Sequence, residues 1–261
     1  MTTSSMVPRY PRRVRNELRL RELSVLSAER IGDDFQRVVL GGEALEGFSS
    51  GGFADHCKLF FPPAGGKLTL PSVTAEGAVW PGGSKPASRD YTPLYNEQRR
   101  ELTFDFYIHD SGLASDWAAN TKPGDTLLVG GPRGSTIVPD SYHWQLYVCD
   151  ESGMPALRRR LEALSLLSAR PAVTALLSVK NEASKAYLAG LEGFNIEWFI
   201  GHSGHELDAR LEQIAVPDDD YFIWITGEGK TAKSYARHFE KPQINPQLLQ
   251  VSAYWHDKSA D

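Results

Sequence analysis

The sequence predicts an antiparallel β-barrel domain over residues 15–138, followed over residues 139–261 by an α/β domain built on a parallel sheet. Three observations predict it. Up to about residue 138, short apolar or alternating runs are separated by Gly-, Pro- and Asn-rich turns, with one clear helix among them. Beyond that point strand-like and helix-like segments alternate. The strands of the second half are apolar on both faces, as strands covered by helices on both sides must be.

In chain order, LRLRELSVLS (18–27), FQRVVL (35–40), HCKLFFP (56–62), RDYTPLY (89–95), ELTFDFYIH (101–109) and TLLVGG (126–131) read as strands. The fifth alternates most cleanly, with Leu102, Phe104, Phe106 and Ile108 on one face. ASDWAANT (114–121), entered through HDSGL, reads as the helix. Many short strands with one helix favour a closed or nearly closed barrel. The switch between halves falls near TIVPDSYH (136–143). After it WQLYVCD (144–150), AVTALLSV (172–179), IEWFI (196–200), YFIWITG (221–227) and LLQVSAYW (248–255) read as strands. MPALRRRLEALSLL (154–167), EASKAYLAG (182–190), HELDARLEQI (205–214) and KTAKSYARHF (230–239) read as the intervening helices.

At 261 residues, 41% hydrophobic and 23% charged, the chain is globular and long enough for two ordinary domains. No apolar run reaches bilayer length, and the arginine-bearing start lacks the apolar stretch of a secretory leader. Two cysteines, Cys57 and Cys149, are too few for a disulfide framework and suit a cytoplasmic setting. A formal charge of −5 argues against general nucleic-acid binding. The basic run Arg9, Arg12, Arg13 and Arg15 reads as a solvated N-terminus.

Several catalytic signatures are missing: no GxGxxG follows the first α/β strand, and there is no P-loop, HExxH or GxSxG. GHSGH (201–205) comes near a nucleophile elbow, and its His202 and His205 near a metal pair. A polar loop entering a helix at Ser203 or Gly204 is the plainer reading.

Four segments carry the remaining chemistry. In SRDYTPL (88–94), Arg89 and Tyr91 fall on one side of a strand and Thr92 on the other, unless a bend re-aims it. Alone, this is a strand-edge arginine and a packed tyrosine. HDSGLASDW (109–117) brings Gly112 to the end of a strand and starts a helix at Ala114 and Ser115, whose free N–H groups suit an anion as well as a simple cap. GGPRGS (130–135) exposes Arg133 on a turn or merely joins the domains. CDESGMPA (149–156) ends a parallel strand, the edge at which α/β sheets bind ligands, or is an ordinary strand–helix loop.

Taken in order, RDYTPL, FDFYIHDSGLASDWA, PGDTLLVGGPRGS (123–135), ITGEGK (225–230) and VSAYW (251–255) resemble the siderophore-interacting protein family, from about Arg15 to His256. These are flavin-dependent ferric-siderophore reductases of the ferredoxin-reductase-like superfamily. The resemblance implies an FAD-binding barrel and an NAD(P)H-binding α/β domain. It places Arg89 on the FAD pyrophosphate, Tyr91 against the isoalloxazine ring and Thr92 at the flavin edge, the last two as the catalytic side chains. His109, Gly112, Ala114 and Ser115 match the second flavin segment, with Leu113 where the family has proline. Asp150, Ser152, Gly227 and Glu228 would line the nicotinamide side, with Trp255 packed near the flavin or simply buried. Lys58 and Arg133 match the seat for anionic ferric complexes, completed by His256 or Lys258; a charge that guards a strand edge is the other reading of Lys58.

The implied reaction passes electrons from NADPH or NADH through FAD to a ferric siderophore, releasing Fe(II) in the cytoplasm. Lys180 and Lys185, after the second parallel strand, suit the extra phosphate of NADPH or are solvated surface lysines. The family implies a monomer. The alternative is a general flavin reductase exchanging electrons with a ferredoxin-type protein. A siderophore-binding or hydrolytic protein without redox function is a further alternative, against which the missing nucleophile elbow speaks.

Overall fold

The computed structural model describes residues 9–63, 66, 68, 70–74, 77–83, 85–109, 112–201 and 204–257. The chain divides into two units, Val14–Ser135 and Thr136–Asp261, with residues 9–13 belonging to the second. It crosses between them within β1 (Arg12–Arg15) and β11 (Gly134–Ile137).

The first unit contains β2 (Leu20–Ile31), β3 (Phe35–Gly41), β4 (Cys57–Phe60), the short pair β5 (Ser72–Thr74) and β6 (Gly77–Val79), β7 (Ser88–Tyr91), β8 (Leu94–Asn96), β9 (Glu101–Tyr107), α1 (Leu113–Asn120) and β10 (Thr126–Gly130). Seven strands form one antiparallel sheet in the order β7-β4-β10-β2-β3-β9-β8. Its two edge strands are consecutive in the chain, joined by Thr92 and Pro93 alone. Three Cα steps span at most about 11 Å, so the sheet has to curl until its edges meet. RDYTPLY is therefore not one strand, as its apolar pattern suggested; it breaks at Thr92–Pro93 into the two sides of the barrel seam. A register shift between Val25 and Ser27 in β2 adds local bend.

Alternation fills the interior. Leu102, Phe104 and Phe106 of β9 meet Val38, Leu40, Leu59 and Leu127 in one buried cluster, with Ile108 packed at its margin. The opposite parity is polar where it is buried: Asp105 is held by a two-pronged bond from Arg37 at 2.7 and 2.8 Å. α1 plugs the barrel with Ala114 and Ala118, and its Trp117 meets Phe61 and Phe106 with centroids 5.5 and 5.8 Å apart.

The second unit contains β12 (Trp144–Cys149), α2 (Met154–Ser165), β13 (Ala172–Val179), β14 (Asn195–Ile200), α3 (Gly204–Glu212), β15 (Tyr221–Glu228), α4 (Gly229–Ala236) and β16 (Leu249–Trp255). All five strands are parallel, in the order β14-β13-β12-β15-β16. The central strands are buried along almost their whole length, which is why their sequences run apolar without alternation. α2 presents Leu157, Leu161 and Leu164 on one buried stripe. Arg160 of the same helix is also buried, and it is satisfied by Tyr147, Gln145 and the Pro139 carbonyl. Residues 182–188 form a run of 3-10 turns instead of the α-helix expected there. The crossover from β13 to β14 is thus made by 3-10 turns, while α2 makes the crossover from β12 to β13.

Candidate functional site

In the barrel unit, β7 pairs with β4 so that Tyr91 faces Cys57, Asp90 faces Lys58 and Arg89 faces Leu59. Arg89 and Tyr91 therefore share the side of the sheet that carries the core residues Cys57 and Leu59. Tyr91 is half-buried, its ring 4.4 Å from Phe106 at 45°. Burial raises its phenol above the ordinary tyrosine range despite the opposing charge of Arg89, so the hydroxyl stays protonated at neutral pH. Arg89 is exposed, and one guanidinium N–H donates to the Ser88 carbonyl at 2.8 Å. Its other donors have no partner among the described residues. Thr92 is buried in the two-residue corner of the seam.

The rings of Tyr91, Phe106 and Trp117 run in contact from this seam to α1. α1 opens at Gly112, which offers no side-chain cap; Gly112 caps the helix and does not end a strand, because β9 stops at Tyr107. The Ser115 hydroxyl is buried and fully used, accepting from the His109 N–H at 3.1 Å and donating to the His109 carbonyl at 3.0 Å. Asp116 is the first residue to bond back, to the Gly112 carbonyl at 2.8 Å. The N–H groups of Leu113, Ala114 and Ser115 precede that first helical bond. A Cβ at Gly112 would lie 2.6 Å from the His109 ring, so only glycine lets that ring close over the helix start. Open amides at a helix start and an arginine with spare donors are the groups a dinucleotide diphosphate needs, and an aromatic wall beside them suits a flat ring. These residues fit FAD. Asp110 and Ser111 lie outside the described residues.

The expected cations differ in their surroundings. Lys58 is bound to Asp90 at 2.7 Å, and both are substantially exposed. Because β4 lies between β7 and β10, Lys58 is not a strand-edge charge. Arg133 is exposed and its side chain has no partner among the described residues. Lys258 lies outside the described residues, as do His202 and Ser203.

In the α/β unit, Asp150 follows β12 and organises the carboxyl ends of the strands. One carboxylate oxygen accepts from the Ser152 N–H at 2.9 Å and from the Ser152 hydroxyl. The other accepts from the Glu228 N–H at 3.1 Å and from the Trp255 indole at 2.8 Å. Gly227 has φ +138, and a Cβ there would meet this carboxylate at 2.7 Å. Glu228 caps α4 by accepting from the Thr231 N–H at 2.8 Å and from its hydroxyl. Burial pushes its carboxyl up, but hydrogen bonds from Thr231 and from the backbone of Lys230 and Asp257 prevail and hold it below the usual range. Trp255 is 45% exposed, so it is not a core residue. His256 is exposed beside Gly229, where a side chain would run into its ring.

Two acids went unnoticed in the sequence. Asp90 neutralises Lys58, a pairing visible only once β7 is registered on β4. Glu151 is buried and accepts from the Lys180 N–H at 2.6 Å, tying the ends of β12 and β13 together. Of the two lysines considered for a nucleotide phosphate, Lys185 is already paired with Glu182 at 2.9 Å. Among the described residues no three His, Cys, Asp or Glu side chains gather as a metal site.

Comparison with known proteins gives consistent matches. The model of the siderophore-interacting FAD-binding domain matches residues 24–136, and that of the siderophore-interacting protein matches residues 142–258. The NADPH-dependent ferric-chelate reductase of Escherichia coli (strain K12) is 61% identical over 251 residues, covering 96% of this chain and 98% of that protein. The ferric vibriobactin reductase ViuB of Vibrio cholerae is 28% identical, over 81% of this chain and 79% of that protein. The crystal structure of a siderophore utilization protein from T. fusca superposes with a TM-score of 0.83 at 34% identity, covering 95% and 97% of the two chains.

Proposed function

This chain belongs to the siderophore-interacting protein family, and from that premise we infer that it is a flavin-dependent ferric-siderophore reductase driven by NADPH. The observation that carries this reading is the 61% identity, across nearly all of both chains, with an NADPH-dependent ferric-chelate reductase. The chemistry that bound FAD would supply is acceptance of a hydride from the nicotinamide and one-electron donation to Fe(III), which a hard-oxygen chelator holds far less well as Fe(II).

The protein supplies binding, orientation and charge. Arg89 and the amides at Ala114 and Ser115 hold the diphosphate, with Gly112 and His109 shaping that turn. The spare donors of Arg89 support its part. Tyr91 offers its ring as a wall to the flavin and Thr92 its hydroxyl to the flavin edge. On the nicotinamide side, Asp150, Ser152, Gly227 and Glu228 fix the strand ends, and Trp255 stands at the exposed rim. Lys58 and Arg133, with His256 or Lys258, receive the anionic chelate. Residues 15–138 are the FAD domain and 139–261 the NAD(P)H domain. No helix among the described residues is long and apolar enough to cross a membrane. We place the protein in the cytoplasm as a monomer, with a ferredoxin-type protein as the alternative electron partner.

Anaerobic stopped-flow measurement tests the reading. NADPH should bleach the bound flavin, and a ferric siderophore should restore its colour with Fe(II) captured by a chromogenic chelator. NADH and a ferredoxin are the comparison arms. Reduced flavin that no ferric chelate reoxidises would overturn the assignment.

A further inference from the structure

The barrel unit contains a cavity of about 230 Å³ that none of these roles uses, lined among others by Arg15, Glu17, Arg19, Arg21, Gly47 and Gly131. Arg21 lies on β2 opposite Val129 of β10 and two residues before the core residue Leu23, so its side chain enters the barrel from the core side. It is only 4% exposed. Its guanidinium stands 5.2 Å over the Phe48 ring and donates one long bond, 3.3 Å, to the Gly131 carbonyl. Its buried Nε has no partner. No carboxylate is paired with it among the described residues.

Such a group is costly to bury: a charge out of water needs a counter-charge or full hydrogen bonding. Burial and the neighbouring charge of Arg19 both disfavour the protonated form of Arg21. Glu17 offsets this only in part, because its carboxylate is already bound by Arg19 at 2.8 and 3.0 Å. Arg15 is exposed, and its side chain has no partner among the described residues. Gly47, at φ +69, keeps the wall beside Arg19 free of a side chain. The cavity therefore has three guanidinium groups around it and one carboxylate, which is paired with Arg19 and leaves Arg15 and Arg21 with no carboxylate bound to them among the described residues.

We propose that this cavity is an anion site that takes a small oxyanion or carboxylate between Arg15 and Arg21. Guanidinium groups present parallel donors that match the two oxygens of a carboxylate or phosphate. A free inorganic anion and a pendant carboxylate of the ferric chelate share this chemistry. The site itself rests on the cavity and its arginines; only the second source rests on the reductase reading.

Isothermal titration of the flavin-loaded protein with inorganic phosphate and then citrate, at low ionic strength to limit screening, tests it. Saturable binding of both is expected, about tenfold weaker in Arg15→Gln, lost in Arg21→Met and kept in Arg133→Ala. Because the buried Arg21→Met risks misfolding, Arg15→Gln at an exposed strand end decides alone. No saturable binding, or binding unchanged in Arg15→Gln, overturns the proposal. If bound phosphate raises KM for a carboxylate-bearing ferric chelate and not for a neutral one, the occupant is the substrate's carboxylate. Phosphate binding with every KM unchanged assigns the site to a free anion. Failure of the reductase reading would show instead as absent turnover with phosphate binding intact.

Discussion

The two units treat their polar groups in opposite ways. In the barrel, Arg89 and Arg133 keep donors unused and the first turn of α1 has no side-chain cap. In the α/β unit, Asp150, Ser152, Glu228 and Trp255 are bonded to one another or to the adjoining backbone. The first arrangement leaves side-chain donors open to a ligand. The second uses them up in holding loops, so on the function proposed above a nucleotide there would meet mostly backbone and the exposed ring of Trp255. Residue identity should therefore affect cofactor retention in one unit and loop integrity in the other.

The strongest way to break this contrast is Arg89→Ala. We expect the purified protein to lose most of its FAD, with affinity down ten- to a hundred-fold as an order of magnitude for a charge-assisted diphosphate contact. Flavin absorbance per protein reads it. Arg89→Lys should recover only part, since a point charge cannot replace a fork. Full occupancy in the alanine variant would remove the distinction between open and closed sites.

Next in size is Gly227→Ala. Its φ of +138 and the 2.7 Å approach of Asp150 to a new Cβ predict strain of about 1–3 kcal/mol. Urea denaturation should show that loss, and hydride transfer from NADPH should slow while FAD content stays normal. Loss of FAD instead would mean that the two sets of residues are not independent.

A smaller, signed effect comes from the Lys58–Asp90 pair. Exposed pairs contribute about 0–1 kcal/mol to stability, so Asp90→Asn should leave the fold intact while freeing the ammonium. KM for an anionic ferric chelate should fall a few-fold in Asp90→Asn and rise in Lys58→Ala, with NADPH reduction of the flavin unchanged in both. Added salt should shrink both differences. Equal KM values in the two variants would make this pair purely structural.

Much of this architecture was legible because its causes are local. Alternation in 101–107 and the mostly apolar, non-alternating runs at 144–149 and 221–226 follow from which faces are covered. The seam was not legible: residues 89–95 carry a continuous strand pattern, and only the meeting of the two sheet edges makes Thr92 and Pro93 a corner. The 3-10 run at 182–188 escaped for a related reason, since helical spacing does not separate the two helix types. At the site, Arg89, Tyr91 and Gly112 were readable as residue types in a fixed order. Asp90 and Arg21 were not, because their meaning lies in cross-strand register and in a cavity wall, both set by pairing far along the chain.

The finest test of the closed unit is Glu228. Its folded carboxyl lies below the usual range because it caps α4. A depressed carboxylate stabilises above its unfolded value, about 4.3, and that contribution disappears as pH falls through the folded value. Glu228→Gln keeps a side-chain oxygen for Thr231 but removes the charge at the helix start. Being partly exposed, the charge should contribute only ~0.5 kcal/mol. The urea midpoint of the variant should therefore trail the parent slightly at neutral pH and coincide with it in acid below the folded value. The same gap at both pH values would show that the cap works through geometry alone, and the closed character of this unit would owe nothing to charge.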